Sequence, residues 1–173
     1  MGSGLSPIGP IGNKVLYVSD EETRGLPGDL SRLENQIALV LQNLEEPELR
    51  LLAPVVGSNE KIINSPRINE IIDCVLQNPN SSFAEGVGMN TAIINSPRID
   101  EIIDQVLQNP RSRLASGVGM NDVIINSPRI NEIIDCAFSA PRSELASGCI
   151  SNEVLESSLL YSDKIKNLKE LRA

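Results

Sequence analysis

The chain contains no histidine and no tryptophan, and aromatic residues make up only 2% of it. Without histidine it can form neither a Cys-His nor a Ser-His-Asp nucleophile pair, nor any histidine-containing metal set. Phe83, Phe138, Tyr17 and Tyr161 are the whole aromatic complement. The core must therefore be aliphatic, and few rings remain to stack on nucleic-acid bases. Cysteine is confined to Cys74, Cys136 and Cys149, with no CxxC pair, and neither GxxxxGK[ST] nor GxGxxG occurs. No catalytic residue, metal site or cofactor is expected, and the chain reads as a non-enzyme.

Long apolar runs are missing as well. No stretch approaches the length of a membrane span, and no charged-then-apolar leader is visible. The opening Met1-Gly2-Ser3-Gly4 reads as a cloning remnant. Fifteen basic residues face 23 acidic ones, a net charge of −8, which over the whole molecule repels nucleic acid and anionic lipid.

What the chain does have is repetition. The heptapeptide IINSPRI stands at Ile62, Ile93 and Ile124, and three copies follow in strict register: 62–92, 93–123 and 124–154. The first pair agrees at 23 of 31 positions and the second at 20, too many for shared helix composition alone. A period of this length signals an array of supersecondary units. The period and the SPRI[ND]EIID core do not match the tetratricopeptide, ankyrin, HEAT or leucine-rich patterns.

Each copy is punctuated for helices. Ser96 before Pro97 suits an N-cap with proline at the first helical position, and Ile99, Ile102, Ile103, Val106 and Leu107 follow at helical spacing. This predicts an amphipathic helix of about twelve residues. Asn109-Pro110 then predicts a short helix over Arg111 to Ser116, closed by Gly117. Asn121 is expected to cap a third short segment, Asp122 to Asn126. The Gly86-Val87-Gly88 and Gly117-Val118-Gly119 pairs are read as joints that supply positive φ and close helix approach.

The expected fold is all-α, a short α-solenoid of tandem 31-residue helical repeats with divergent end repeats. Residues 1–29 form a mostly irregular arm, in which Lys14 to Val18 is a candidate extended edge or docking peptide. Residues 30–61 form a divergent first repeat: Leu33, Ile37, Val40 and Leu41 match Ile68, Ile72, Val75 and Leu76 at an offset of 35. Residues 62–154 hold the three regular repeats and 155–173 a capping helix. Stacking at roughly 10 Å per repeat would set Cys74 and Cys136 about 20 Å apart, beyond disulfide reach. A reducing, intracellular compartment follows from that reading.

Candidate partner-binding residues come from rows that recur once per repeat. Arg67, Arg98 and Arg129 form one row, beside the variable Asn69, Asp100 and Asn131. The arginines have two readings: ion pairs with a carboxylate three residues on or in the next repeat, or a row of forked donors for acidic groups of a partner. Arg111 and Arg142, with Asn80, form a second row, expected to make a basic patch if it lies beside the first. Other positions where the repeats differ are Cys74/Gln105/Cys136, Ser82/Arg113/Glu144 and Glu85/Ser116/Ser147. Lying off the apolar stripe, they are free of core packing and are natural contact positions.

A repeat array without a catalytic constellation is expected to be a binding or scaffold module for a protein or peptide. The alternatives are a modular nucleic-acid reader, disfavoured by the charge, and a secreted bacterial effector that binds protein in a host cytosol. An element that stacks end to end into homo-oligomers is a further class, opposed by the lysine-rich tail.

Overall fold

The computed structural model describes residues 5–11, 14–19, 28–44 and 46–172. From Gly28 onward every regular element is helical. Ahead of it stands a two-stranded antiparallel hairpin, β1 (Leu5–Ile11) and β2 (Lys14–Ser19). Its register passes from Pro7 opposite Tyr17 to Gly9 opposite Leu16, leaving Ile8 as an extra bulge residue. A bulge and an edge position let β1 tolerate the prolines that made this arm read as irregular. Residues 1–4, 12–13 and 20–27 of the expected arm lie outside the described residues.

The helices are α1 (Gly28–Gln42), α2 (Leu52–Gly57), α3 (Ile68–Gln77), α4 (Ser82–Met89), α5 (Ile99–Gln108), α6 (Arg113–Met120), α7 (Ile130–Ser139), α8 (Glu144–Ser151), α9 (Glu153–Ser157) and α10 (Ser162–Arg172). Short 3-10 turns at Glu60–Asn64, Thr91–Asn95 and Ile124–Asn126 lead into α3, α5 and α7. The longer α3, α5 and α7 lie side by side, and so do the short α2, α4, α6 and α8. Between the layers runs an aliphatic core in which Ile71, Ile72, Val75, Ile102, Ile103, Val106, Ile133 and Ile134 are buried.

Helix boundaries depart from the sequence reading for local reasons. Ser96 accepts from the backbone N–H of Arg98 at 3.2 Å, a tight serine turn that delays the long helix to Ile99 and shortens it to ten residues. The cap of the next helix is Ser112, not Asn109: its hydroxyl oxygen accepts from Ala115 N–H at 3.2 Å. Pro110 lies in the turn before that cap and offers its carbonyl to Leu145 N–H at 2.9 Å in the next unit, as Pro79 does to Leu114. The short helix then runs through Gly117 and Gly119 to Met120.

Those glycines are helical residues rather than positive-φ joints, and only their close-approach role holds. A Cβ on Gly88 would come within 2.7 Å of Leu114 O and 2.8 Å of Val118 N, so α4 and α6 touch backbone to backbone. Gly119 meets α8 in the same way, with Leu145 O at 2.8 Å from its virtual Cβ. Ile150 stands 31 residues after Gly119 and is partly buried against the core. Where a further short helix would need a glycine, a bulky side chain fills the space. α9 and α10 cover this end, split by a turn at Ser158–Tyr161 where a single capping helix was expected.

The units are also tied through buried asparagines. Asn90, Asn121 and Asn152 each donate from Nδ2 to two backbone carbonyls of the preceding unit at 2.9–3.0 Å. Each also accepts at Oδ1 from a backbone N–H that follows it. All three are 1–2% exposed. Asn64, Asn95 and Asn126, which recur within the IINSPRI heptapeptide, are by contrast exposed.

Candidate binding surface

The two arginine rows have different fates. Arg98 grips Glu101 with Nε and Nη2 at 2.8 and 2.7 Å and also reaches Asp73 of the preceding unit at 2.7 Å. Its Nη1 donates to the carbonyl of Asn69 at 3.2 Å. Arg129 repeats the arrangement with Glu132 at 3.0 and 2.8 Å, Asp104 at 2.7 Å and Asp100 at 3.7 Å. Arg67 meets Glu70 at 3.3 Å. Hydrogen bonds from the arginines hold the Glu101 and Glu132 carboxyls below the usual carboxylate range.

The guanidinium forks of this row are thus occupied within the chain, the geometry of an ion-pair ladder. Asn69 and Asp100 contribute carbonyls to that ladder, and Asn131 accepts from the Tyr161 hydroxyl at 3.3 Å. All three are exposed.

The second row lies elsewhere. Arg98 precedes α5 and Arg111 follows it, so the rows are separated by the helix, about 15 Å at 1.5 Å per residue. They do not form one patch, because a long helix carries its flanking residues to opposite ends. Arg111 and Arg142 are exposed, and among the described residues neither has an ion-pair partner. Two open cavities lie along the edge where α4, α6 and α8 begin, the second of them lined by Arg111.

The larger, about 560 Å³, is lined by Arg50, Asn78, Asn80, Ser81, Ser82 and Arg113 among others. Its neighbour, about 420 Å³, is lined by Asn80, Glu85, Arg111, Arg113, Ser116 and Glu144. Arg113 approaches Glu85 at 3.7 Å.

Every residue of the second cavity belongs to a position where the repeats differ from one another. Three of the five variable sets therefore converge on one edge. The set at Cys74, Gln105 and Cys136 does not, and the Cys136 thiol sits 3.8 Å from the Leu107 carbonyl. Arg50 was missed by the sequence reading because it lies outside the regular repeats, in the stretch between α1 and α2.

Cys74, Cys136 and Cys149 are free thiols. Burial pushes the Cys149 thiol up to about 12. Among the described residues no group of three or more His, Cys, Asp or Glu is placed to hold a metal ion, and no described helix is long and apolar enough to cross a membrane. No protein-family model, curated protein or solved structure matches the chain.

Proposed function

We propose that the chain is a short α-solenoid of tandem 31-residue units that serves as a non-catalytic binding module for a protein or peptide. The observation that carries this reading is the convergence of repeat-variable residues on the edge where α4, α6 and α8 begin. The units hold one another through side chains they share, Asn90, Asn121 and Asn152 and the glycines between the short helices. Residues excluded from that work are free to differ, and here they meet around accessible cavities. A scaffold that repeats its support while varying its rim is suited to recognition.

Capture from a cell lysate tests this, with bound protein and nucleic acid both quantified. The intact chain is set beside two folded variants, Arg67, Arg98 and Arg129 to Ala in one, and Arg111, Arg113 and Arg142 to Ser in the other. Loss of a specific protein in the second variant supports the reading. Salt-sensitive nucleic acid lost in the same way would favour a modular nucleic-acid reader instead, and capture unchanged in both variants would overturn the assignment of the rim.

A further inference from the structure

The edge where the short helices begin gathers positive charge in a molecule whose net charge is −8: Arg113 has one long ion pair, to Glu85 at 3.7 Å, and among the described residues Arg50, Arg111 and Arg142 have no ion-pair partner. The cavity at the start of α4 brings together the guanidinium groups of Arg50 and Arg113 and the amides of Asn78 and Asn80, with no carboxylate among its described lining residues. Ser81 already accepts from Ala84 N–H at 3.1 Å, which leaves its hydroxyl proton to donate outward. The positive end of the α4 dipole adds to the same potential. Arg111 and Arg142 continue the charge along the starts of α6 and α8.

We infer that this edge binds an extended acidic peptide, with one carboxylate seated between Arg50 and Arg113 and later ones meeting Arg111 and Arg142. The inference rests on the binding-module reading above and names its partner. Helices that touch through glycine lie at the close end of the usual spacing, about 8 Å. An extended chain rises roughly 3.3 Å per residue, so acids two or three residues apart match neighbouring units.

A peptide fits better than a polyphosphate because Glu85 and Glu144 line the middle of the edge. Discrete side chains can place a neutral residue there, whereas a continuous phosphate backbone would run its charge past both carboxylates. Among the described residues no aromatic side chain lines either cavity to stack a base.

The test is fluorescence anisotropy of a labelled peptide of alternating glutamate and serine against the full chain at low and moderate salt. Arg50→Ser with Arg113→Ser should weaken binding by about tenfold or more, as expected for the loss of charge-assisted contacts. Arg142→Ser should weaken it less, Arg98→Ala should leave it unchanged, and Glu85→Gln should tighten it. Circular dichroism confirms that each variant is folded.

Equal binding by the Arg50→Ser, Arg113→Ser chain, or by a peptide with serine at every position, would overturn the inference. Tighter binding of an oligothymidylate of the same length would do so too and point to phosphate. If the lysate experiment yields a protein whose capture survives loss of Arg111, Arg113 and Arg142, the edge assignment falls and the module reading stands. If it yields no specific protein and the peptide is ignored, both fall.

Discussion

Asn121 donates from Nδ2 to the backbone oxygen of Asn90, 31 residues earlier and 2.9 Å away, while its own backbone oxygen receives the same bond from Asn152 at 3.0 Å. One side chain per unit thus ties two neighbouring turns together, as a second donor to carbonyls that also accept from Ile93 N–H and Ile124 N–H at 3.1 and 3.0 Å.

Replacing Asn121 by Ala strips donors from the Gly88 and Asn90 carbonyls and an acceptor from Val123 N–H. The Asn90 carbonyl keeps Ile93 N–H at 3.1 Å, so the groups left unpaired are the Gly88 carbonyl and Val123 N–H, and a loss of about 2–4 kcal/mol is expected. Asn95→Ala, at an exposed position, should stay within about 0.5 kcal/mol of the parent. Urea unfolding of the two variants side by side reads the difference.

Gly88→Ala places a methyl group against the backbone of α6. Alanine would gain up to about 1 kcal/mol in a free helix, but the intruding Cβ forces α4 and α6 apart, and a net cost of about 1–3 kcal/mol is expected. Gly28→Ala provides the control, since nothing lies within 4 Å of its virtual Cβ. Thermal melts should show a lower Tm for the first substitution and an unchanged or higher one for the second.

Ile102→Ala should cost about 2–5 kcal/mol at any pH, because it opens a cavity in a fully buried site. Arg98→Ala should act differently, through pH. The Arg98 hydrogen bonds hold the Glu101 carboxyl low in the folded chain, so the contribution of the pair is present above the unfolded glutamate value of about 4.3 and is lost as pH falls through the lower folded value. Urea midpoints measured from pH 7 to pH 3 should fall less steeply for Arg98→Ala than for the parent.

Cys149 gives the opposite slope. Its thiol is held up to about 12 by burial, against about 8.5 in an unfolded chain. The folded state keeps this proton between those values while the unfolded state loses it, so stability falls as pH rises, at up to about 1.4 kcal/mol per unit. Cys149→Ala should flatten the alkaline limb relative to the parent. Thiol titration should find Cys149 unreactive until the chain unfolds.

The period and the buried face of the long helices were legible because both are written in local spacing. Ile102, Ile103 and Val106 follow a helical stripe that no distant contact needs to enforce. The caps were placed too early because a Ser-Pro pair resembles a helix start, and only the Ser96 to Arg98 turn shows that the helix begins two residues later. Asn121 was read as a local cap, which it is, but its Nδ2 partners lie a full unit away, and nothing adjacent in sequence announces them. The glycine pairs were assigned to turns since isolated glycine is the commonest breaker; their use within a helix depends on a neighbour that sequence spacing does not reveal. At the rim, variation between copies pointed to Arg111, Arg113 and Glu144, whereas the separation of the two arginine rows followed only from the length of α5.

Interchangeability follows from the bond between Asn121 and Asn90. If residues 93–123 were excised, Asn152 would find Gly88 and Asn90 in place of Gly119 and Asn121, and Leu145 N–H would find Pro79 in place of Pro110. Arg129 would meet Asp73 in place of Asp104. The joints made by asparagine, proline and arginine meet the same residue types on both sides, so these contacts are preserved when a whole unit is removed, whereas at the rim Glu144 would face Glu85 in place of Ser116. Ile150 fixes an order as well: the copy that carries it, where Gly57, Gly88 and Gly119 stand in the others, has to come last.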